Sequence, residues 1–208
     1  MKKRIYIYIN GIFNLPSNSD AWTDRAVTWT HKHKYMYSYF AEKYEYFSDV
    51  IFRRFRQQKR AEKLARMICH YSKDWHMVLV GHSNGCDVIM RALRLMNDYR
   101  VREIHFFAPA CSRKEKYGIS TLLKAGLLDK FRIYIGGDDE AMRLARLSTK
   151  LLRPFSLGYG DLGGDDIEDL KRVLGSDTVI SEPKFDHSTW WEKGANFEDT
   201  MNRIIPVE

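Results

Sequence analysis

One short stretch carries the residues most able to do chemistry. Met77-Val78-Leu79-Val80-Gly81-His82-Ser83-Asn84-Gly85 places a serine between two glycines, directly after an apolar run. A serine hydroxyl is a weak nucleophile at neutral pH. It needs open presentation, a neighbouring base and donors for the oxyanion that forms on attack. A sharp strand-to-helix turn supplies the presentation. Gly81 and Gly85 carry no Cβ to clash where the backbone doubles back. The following helix points its free N–H groups at the turn, which makes the Asn84 N–H an oxyanion donor. Taken alone, Gly-x-Ser-x-Gly also fits a glycine-rich turn whose serine caps a helix. The Val-Leu-Val strand before it and the amphipathic helix after it (Val88, Ile89, Ala92, Leu93, Met96) favour the nucleophile.

A serine nucleophile requires a base and a group that orients the base. Of the seven histidines, His187 is the candidate base, because Phe185-Asp186-His187-Ser188 follows the last predicted strand, far downstream of Ser83. His31 and His33 sit in a polar, basic segment, His70 near a helix end, and His76 and His105 within strands. His82 lies inside the turn and is expected to line the substrate cleft, together with Gly11. The orienting acid should end a strand between serine and histidine. Asp138 and Asp139 both follow Phe131-Arg132-Ile133-Tyr134-Ile135. Asp139 is preferred and Asp138 is the alternative; the other of the pair caps a helix beginning near Glu140.

These residues need a scaffold. Strands are expected at Ile5–Ile9, Tyr35–Phe40, His76–Val80, Glu103–Ala108, Phe131–Ile135 and Asp177–Ser181. Helices are expected from Asp20 to about His31, from about Val50 to Tyr71, after the serine to about Met96, over Ile119–Leu128, over Glu140–Leu152 and over Asn196–Ile204. Ser156–Asp166 reads as a Gly/Asp-rich loop. The alternation implies an α/β fold: a three-layer α/β/α sandwich around a mostly parallel sheet of about six strands. Ligands bind such sheets at the carboxyl ends of the strands. Asn10-Gly11, the serine turn and Gly136-Gly137-Asp138-Asp139 all fall at such ends.

The chain resembles a compact member of the α/β-hydrolase superfamily without a large lid domain. The resemblance rests on Gly81-His82-Ser83-Asn84-Gly85 after a strand, Asp139 after a later strand and His187 in a late loop, in the order serine, acid, histidine. It implies a serine esterase or lipase-like carboxylic ester hydrolase, and a second oxyanion donor at the Ile12 N–H in Ile9-Asn10-Gly11-Ile12-Phe13. Asn10 stands where that family often has histidine. The same chemistry admits an acyltransferase, thioesterase or amidase.

Bulk properties bound the rest. The 208 residues form one expected domain, 1–208, with 44% hydrophobic and 29% charged residues, ordinary values for a globular protein. No apolar run approaches the ~20 residues that span a bilayer, and no cleavage site follows the first apolar segment, so a cytoplasmic protein is expected. Cys69, Cys86 and Cys111 form neither a Cys-x-x-Cys pair nor a zinc pattern. Asp161, Asp165 and Asp166 lack a neighbouring histidine and read as a solvated loop, so no metal and no cofactor are expected. Much of the net charge of +7 lies at Arg53, Arg54, Arg56, Lys59, Arg60, Lys63 and Arg66, on an amphipathic helix with a basic outer face. A solvated face is the simplest reading. An anionic partner at residues 53–66, on a non-catalytic binding protein of the same fold, is the alternative. No nucleic-acid-binding motif is present.

Overall fold

A computed structural model describes residues 3–11, 21–33, 39–44, 53–96, 101–137, 160, 162–164 and 166–205, with the side chains of 39–44 and 53–56 left aside. Six strands form one parallel sheet: β1 (Lys3–Ile9), β2 (Tyr39–Tyr44), β3 (Trp75–His82), β4 (Val101–Phe107), β5 (Lys130–Gly136) and β6 (Val179–Glu182), in the order β2-β1-β3-β4-β5-β6. The described helices are α1 (Trp22–His33), α2 (Arg53–Tyr71), α3 (Gly85–Arg94), α4 (Glu115–Lys124), α5 (Ile167–Leu174) and α6 (Ala195–Ile204). No helix among the described residues is long and apolar enough to cross a membrane.

The period-2 alternation of buried strands sorts the core into two layers. Ile5, Ile7 and Ile9 of β1 face one side with Leu79, Phe106 and Ile133, covered by α2, α3, α4 and α5. Tyr6 and Tyr8 face the other side with Val78, Val80, Phe107 and Tyr134, covered by α1 and α6. The α/β/α sandwich expected from the sequence is therefore the observed architecture.

The strand order reverses between β1 and β3. The chain leaves β1 toward β2 on one side and leaves β3 toward β4 on the other. The loops after β1 and β3 diverge there and open a crevice at the carboxyl edge. β1 and β3 are in register up to Ile9 opposite Gly81, so Asn10-Gly11 and His82-Ser83 meet at that crevice.

Several boundaries differ from the sequence reading. The second strand is Tyr39–Tyr44, paired from Arg4–Tyr39 to Ile9–Tyr44. It is an edge strand carrying Glu42 and Lys43, charges that suit an edge and weaken its apolar signal. The helix expected at Ile119–Leu128 is α4, starting and ending four residues earlier. Gly126 with φ +65° stops it, and buried Glu115 in its first turn is held by Arg94 of α3.

The helix α5 begins directly after the expected Ser156–Asp166 loop, over residues that the sequence reading leaves unassigned. Asp166 caps it by accepting the Glu168 N–H at 3.0 Å, so this carboxylate is a helix cap. Leu162 and Gly163 are buried, with N–H groups donating to the carbonyls of Cys111 (3.0 Å) and Pro109 (2.9 Å). That part of the expected solvated loop is packed against the end of β4. On α2, Arg60 is turned inward at 8% exposure, on the stripe shared by Gln57, Ala61, Leu64 and Ile68. The outer basic row is Lys59, Lys63 and Arg66. Residues 12–20 and 138–159 lie outside the described set, and with them Ile12, Asp138, Asp139 and the helix expected at Glu140–Leu152.

Candidate active site

Ser83 directly follows β3 with φ 53°, a left-handed conformation unusual for a residue with a Cβ. Holding it there costs about 1–3 kcal/mol. Three backbone hydrogen bonds fix it: the Ser83 N–H donates to Phe107 O at 3.0 Å, and the Ser83 carbonyl accepts from Cys86 (3.2 Å) and Ala110 (3.0 Å). The strain repeats on the neighbouring strand. Ala108, just after β4, has φ 43°, and its N–H donates to Tyr134 O at 3.0 Å.

The turn closes because glycines let backbones touch. A Cβ on Gly85 would sit 2.5 Å from Ile9 O and 2.6 Å from Asn10 O. The first turn of α3 thus lies against the end of β1, and the two halves of the crevice are in direct contact. A Cβ on Gly11 would come within 3.0 Å of Ser83 Cβ and 3.5 Å of His82 Nδ1. Gly11 therefore borders the serine. Asn84 is fully buried, and its side-chain Oδ1 accepts from Gln57 Nε2 of α2 at 3.1 Å. That side chain is directed at α2, which leaves the start of α3 uncapped by it. Asn10 is 2% exposed, and its Oδ1 is buried without a hydrogen-bond partner among the described residues.

His187 reaches this region from the loop between β6 and α6. The loop is tied down at many points. Phe185 stacks on fully buried Trp190 at 4.1 Å, and Trp190 O accepts from Thr200 Oγ1 at 2.8 Å. Trp191 O accepts from the Arg25 guanidinium. Trp190 and Trp191 thus anchor the histidine loop to the core. Asp186, next to His187, accepts from the N–H groups of Ser188 (2.8 Å) and Thr189 (3.0 Å) through Oδ1. Burial opposes ionisation of Asp186, but these donors outweigh it and hold its carboxyl below the ordinary range. Asp186 thus serves the turn, a role that its Asp-x-x-Thr spacing could have revealed.

The end of β5 packs backbone to backbone on this loop. A Cβ on Gly136 would collide with the Phe185 carbonyl and lie 3.3 Å from Asp186 Cα; one on Gly137 would be 2.8 Å from Pro183 O. The Gly137 N–H donates to Phe185 O at 3.0 Å. The strand that leads into Asp138 and Asp139 therefore ends beside the loop that carries His187.

His82 joins the two parts. Its Nε2 lies 2.7 Å from His187 O, and the two imidazoles are 5.1 Å apart at their centroids. Trp22 and Trp191 stack at 3.8 Å and meet the His82 ring edge-on at 6.2 and 6.1 Å. Burial, and secondarily the nearby His187, push the His82 pKa down to about 3, against the raising effect of its hydrogen bond to the His187 carbonyl. His82 is thus neutral at ordinary pH, and because a carbonyl only accepts, its Nε2 carries the proton. Sequence reasoning placed His82 on the cleft and missed both this contact and Trp22. Cys86, under the turn, is buried, and burial raises its thiol well above the ordinary range, which leaves it a packing residue.

No protein-family model and no curated protein matches the chain. Solved structures do. A predicted CIB-like hydrolase from Thermoplasma acidophilum superposes with a TM-score of 0.58 at 17% identity, over 98% of this chain and 85% of that one. Est1E from Butyrivibrio proteoclasticus gives 0.53 at 12% identity, over 96% and 84%. A thermophilic esterase from Thermogutta terrifontis gives 0.51 at 10% identity, over 98% and 88%. With the parallel sheet, its switch point and the strained serine after β3, these likenesses establish that the chain has the α/β-hydrolase fold.

Proposed function

We propose that this chain is a serine hydrolase that cleaves a small-molecule carboxylic ester, or its thioester or amide analogue, through an acyl-enzyme on Ser83. The observation that carries the reading is the strained Ser83 at the switch-point crevice, with the residue before it hydrogen-bonded to the base-bearing loop. The hydrolase names of the structural neighbours agree with it.

In this reading His187 takes the Ser83 proton as Oγ attacks the carbonyl carbon. The Asn84 and Ile12 N–H groups bind the oxyanion. Asp139, or Asp138 in its place, holds the imidazole and offsets its developing positive charge. His187 then returns the proton to the leaving group. Water, deprotonated by the same base, hydrolyses the acyl-enzyme. Gly11 leaves room for the acyl group beside Ser83. The whole chain acts as one hydrolase domain, 1–208, with no metal or cofactor in the cycle. Free thiols at Cys69, Cys86 and Cys111 fit the reducing cytoplasm.

A fluorophosphonate probe tests this reading. It should label the wild-type chain and leave Ser83→Ala unlabelled, while p-nitrophenyl esters of increasing chain length define the acyl group. Wild-type rates in Ser83→Ala would refute the assignment. An added alcohol that diverts the acyl group from water would identify an acyltransferase. The exposed row Lys59, Lys63 and Arg66 supports an additional contact with an anionic partner. Loss of heparin retention when all three become serine would support it.

A further inference from the structure

We infer that His82 is a positioning residue that fixes the His187 loop to the nucleophile turn through its Nε2–H to the His187 carbonyl. The inference rests on the serine-hydrolase reading and assigns His82 a task other than lining the substrate cleft.

Other hydrogen bonds of residues 185–191 tie the loop to β5, to β6, to α1 and α6, or to itself: Phe185 to Gly137 and Glu182, Trp190 to Thr200, Trp191 to Arg25, and Asp186 to Ser188 and Thr189. Those contacts set the loop against the body of the domain. The 2.7 Å bond from His82 is different, because its donor is the residue covalently joined to Ser83. Any shift of the serine turn moves His82, and His82 moves the backbone of the base. Nucleophile and base thus share one short mechanical path, although they are 104 positions apart in the sequence. The sub-ångström alignment that proton transfer requires is held by that path.

The chemistry of the ring suits the task. The stacked Trp22–Trp191 pair fixes its plane, and Gly11 leaves space at its Nδ1 side. A half-buried imidazole beside a second histidine stays neutral and keeps its Nε2–H as a donor across the whole working range of pH. A titrating donor would add a second positive charge next to His187 just as His187 accepts its own proton.

The test compares His82→Leu, which fills the space without a donor, with His82→Gln, which restores an N–H. Hydrogen exchange at the amides of Ser188 and Thr189 reads the loop whether or not the protein has activity. Exchange there should accelerate at least about tenfold in His82→Leu and return toward wild type in His82→Gln. For the most reactive p-nitrophenyl ester, kcat should fall about 10²-fold in His82→Leu with KM within about twofold, and His82→Gln should recover part of it. Unchanged exchange in His82→Leu, or faster exchange with unchanged kcat, would overturn the inference, as would a rise in KM alone, which belongs to a substrate contact. If the wild-type chain takes no fluorophosphonate label, the hydrolase reading fails, and the exchange data alone decide whether His82 holds the loop. Should His82→Leu fail to fold, His82→Phe and His82→Gln provide the same donor-absent and donor-present pair.

Discussion

Two histidines on adjacent strands of the same sheet face make opposite use of one side chain. His82 ends β3 and pairs with Phe107; His105 lies within β4 opposite Val80, two rungs deeper. His105 is fully buried in a closed network: its Nε2 is 2.9 Å from Glu103 Oε1, its Nδ1 is 3.2 Å from Tyr134 OH, and Glu103 also takes Lys130. His82 instead reaches out of the sheet to a loop carbonyl, and the next residue is strained. The interior network joins partners already aligned by strand register, and it contributes stability. The strand end spends stability on a left-handed serine and a cross-loop contact, which is how a rigid scaffold presents a reactive group.

Removing the serine hydroxyl breaks this comparison most sharply. Ser83→Ala should lower kcat by about 10⁴-fold or more and leave urea stability near that of wild type. His105→Gln should do the reverse, with activity per folded molecule retained and stability reduced. Steady-state ester hydrolysis with active-site titration separates the two. A large kcat loss in His105→Gln would tie the interior network to catalysis and erase the distinction.

Glycines give the next largest contrast. Gly136→Ala would force a methyl into the Phe185 carbonyl and push the His187 loop outward. A displacement of about 1 Å at the base costs on the order of 10² in rate. Gly118 lies in α4 with nothing within 4 Å of a Cβ, so Gly118→Ala should stabilise the chain by about 0.5–1 kcal/mol at unchanged kcat. Equal kinetics for Gly136→Ala and wild type would show that the β5–loop contact does not place the base.

Much of this was legible in the sequence, because its signals are local. Buried parallel strands are continuous runs such as Ile5-Tyr6-Ile7-Tyr8-Ile9, and the serine turn is set by glycines two residues either side of Ser83. The helix α5 is hidden by the Gly/Asp-rich stretch before it, although Asp166, Leu170, Leu174 and Gly175 spell a capped, amphipathic and terminated helix. Arg60 belongs by composition to a charge run, while its period puts it on the buried stripe with Ala61 and Leu64. The His82–His187 bond left no local signal at all. It depends on where two distant loops meet, as does the Glu103–Lys130 pair, which needs the β4–β5 register.

The interior network has its own pH signature. Burial raises the Glu103 carboxyl, but the donors from His105 and Lys130 outweigh it and bring it down to about 2, below its ordinary 4.5. Burial lowers His105 below its ordinary 6.5, against Glu103. In both cases the unfolded chain binds the proton more readily, so stability rises with pH. The His105 contribution is complete above 6.5 and erodes below it; the Glu103 contribution is complete above 4.5 and is lost as pH falls toward 2. Glu103→Gln should cost about 1–3 kcal/mol at neutral pH and flatten the acid limb below 4.5. Urea midpoints measured across the acid range check this, and parallel curves for the variant and wild type would remove Glu103 as the source.

The smallest effect bears on the strain itself. Glycine adopts φ 53° or 43° without penalty, so Ser83→Gly and Ala108→Gly each relieve about 1–3 kcal/mol of backbone strain. Each also gives the unfolded chain extra freedom, which takes back about 0.5–1 kcal/mol. The net expectation is a gain of up to ~2.5 kcal/mol in both variants. Ser83→Gly should be inactive, because the gain comes with loss of the hydroxyl, whereas Ala108→Gly has no reacting atom to lose and should keep most of its activity. A parallel gain would mean that the carboxyl edge of β3 and β4 is one strained unit, linked through the Ser83 N–H to Phe107 O. If Ser83→Gly were instead less stable than wild type, the serine side chain would itself be holding the turn, and the left-handed backbone would be a consequence of its contacts and not a cost of presenting it.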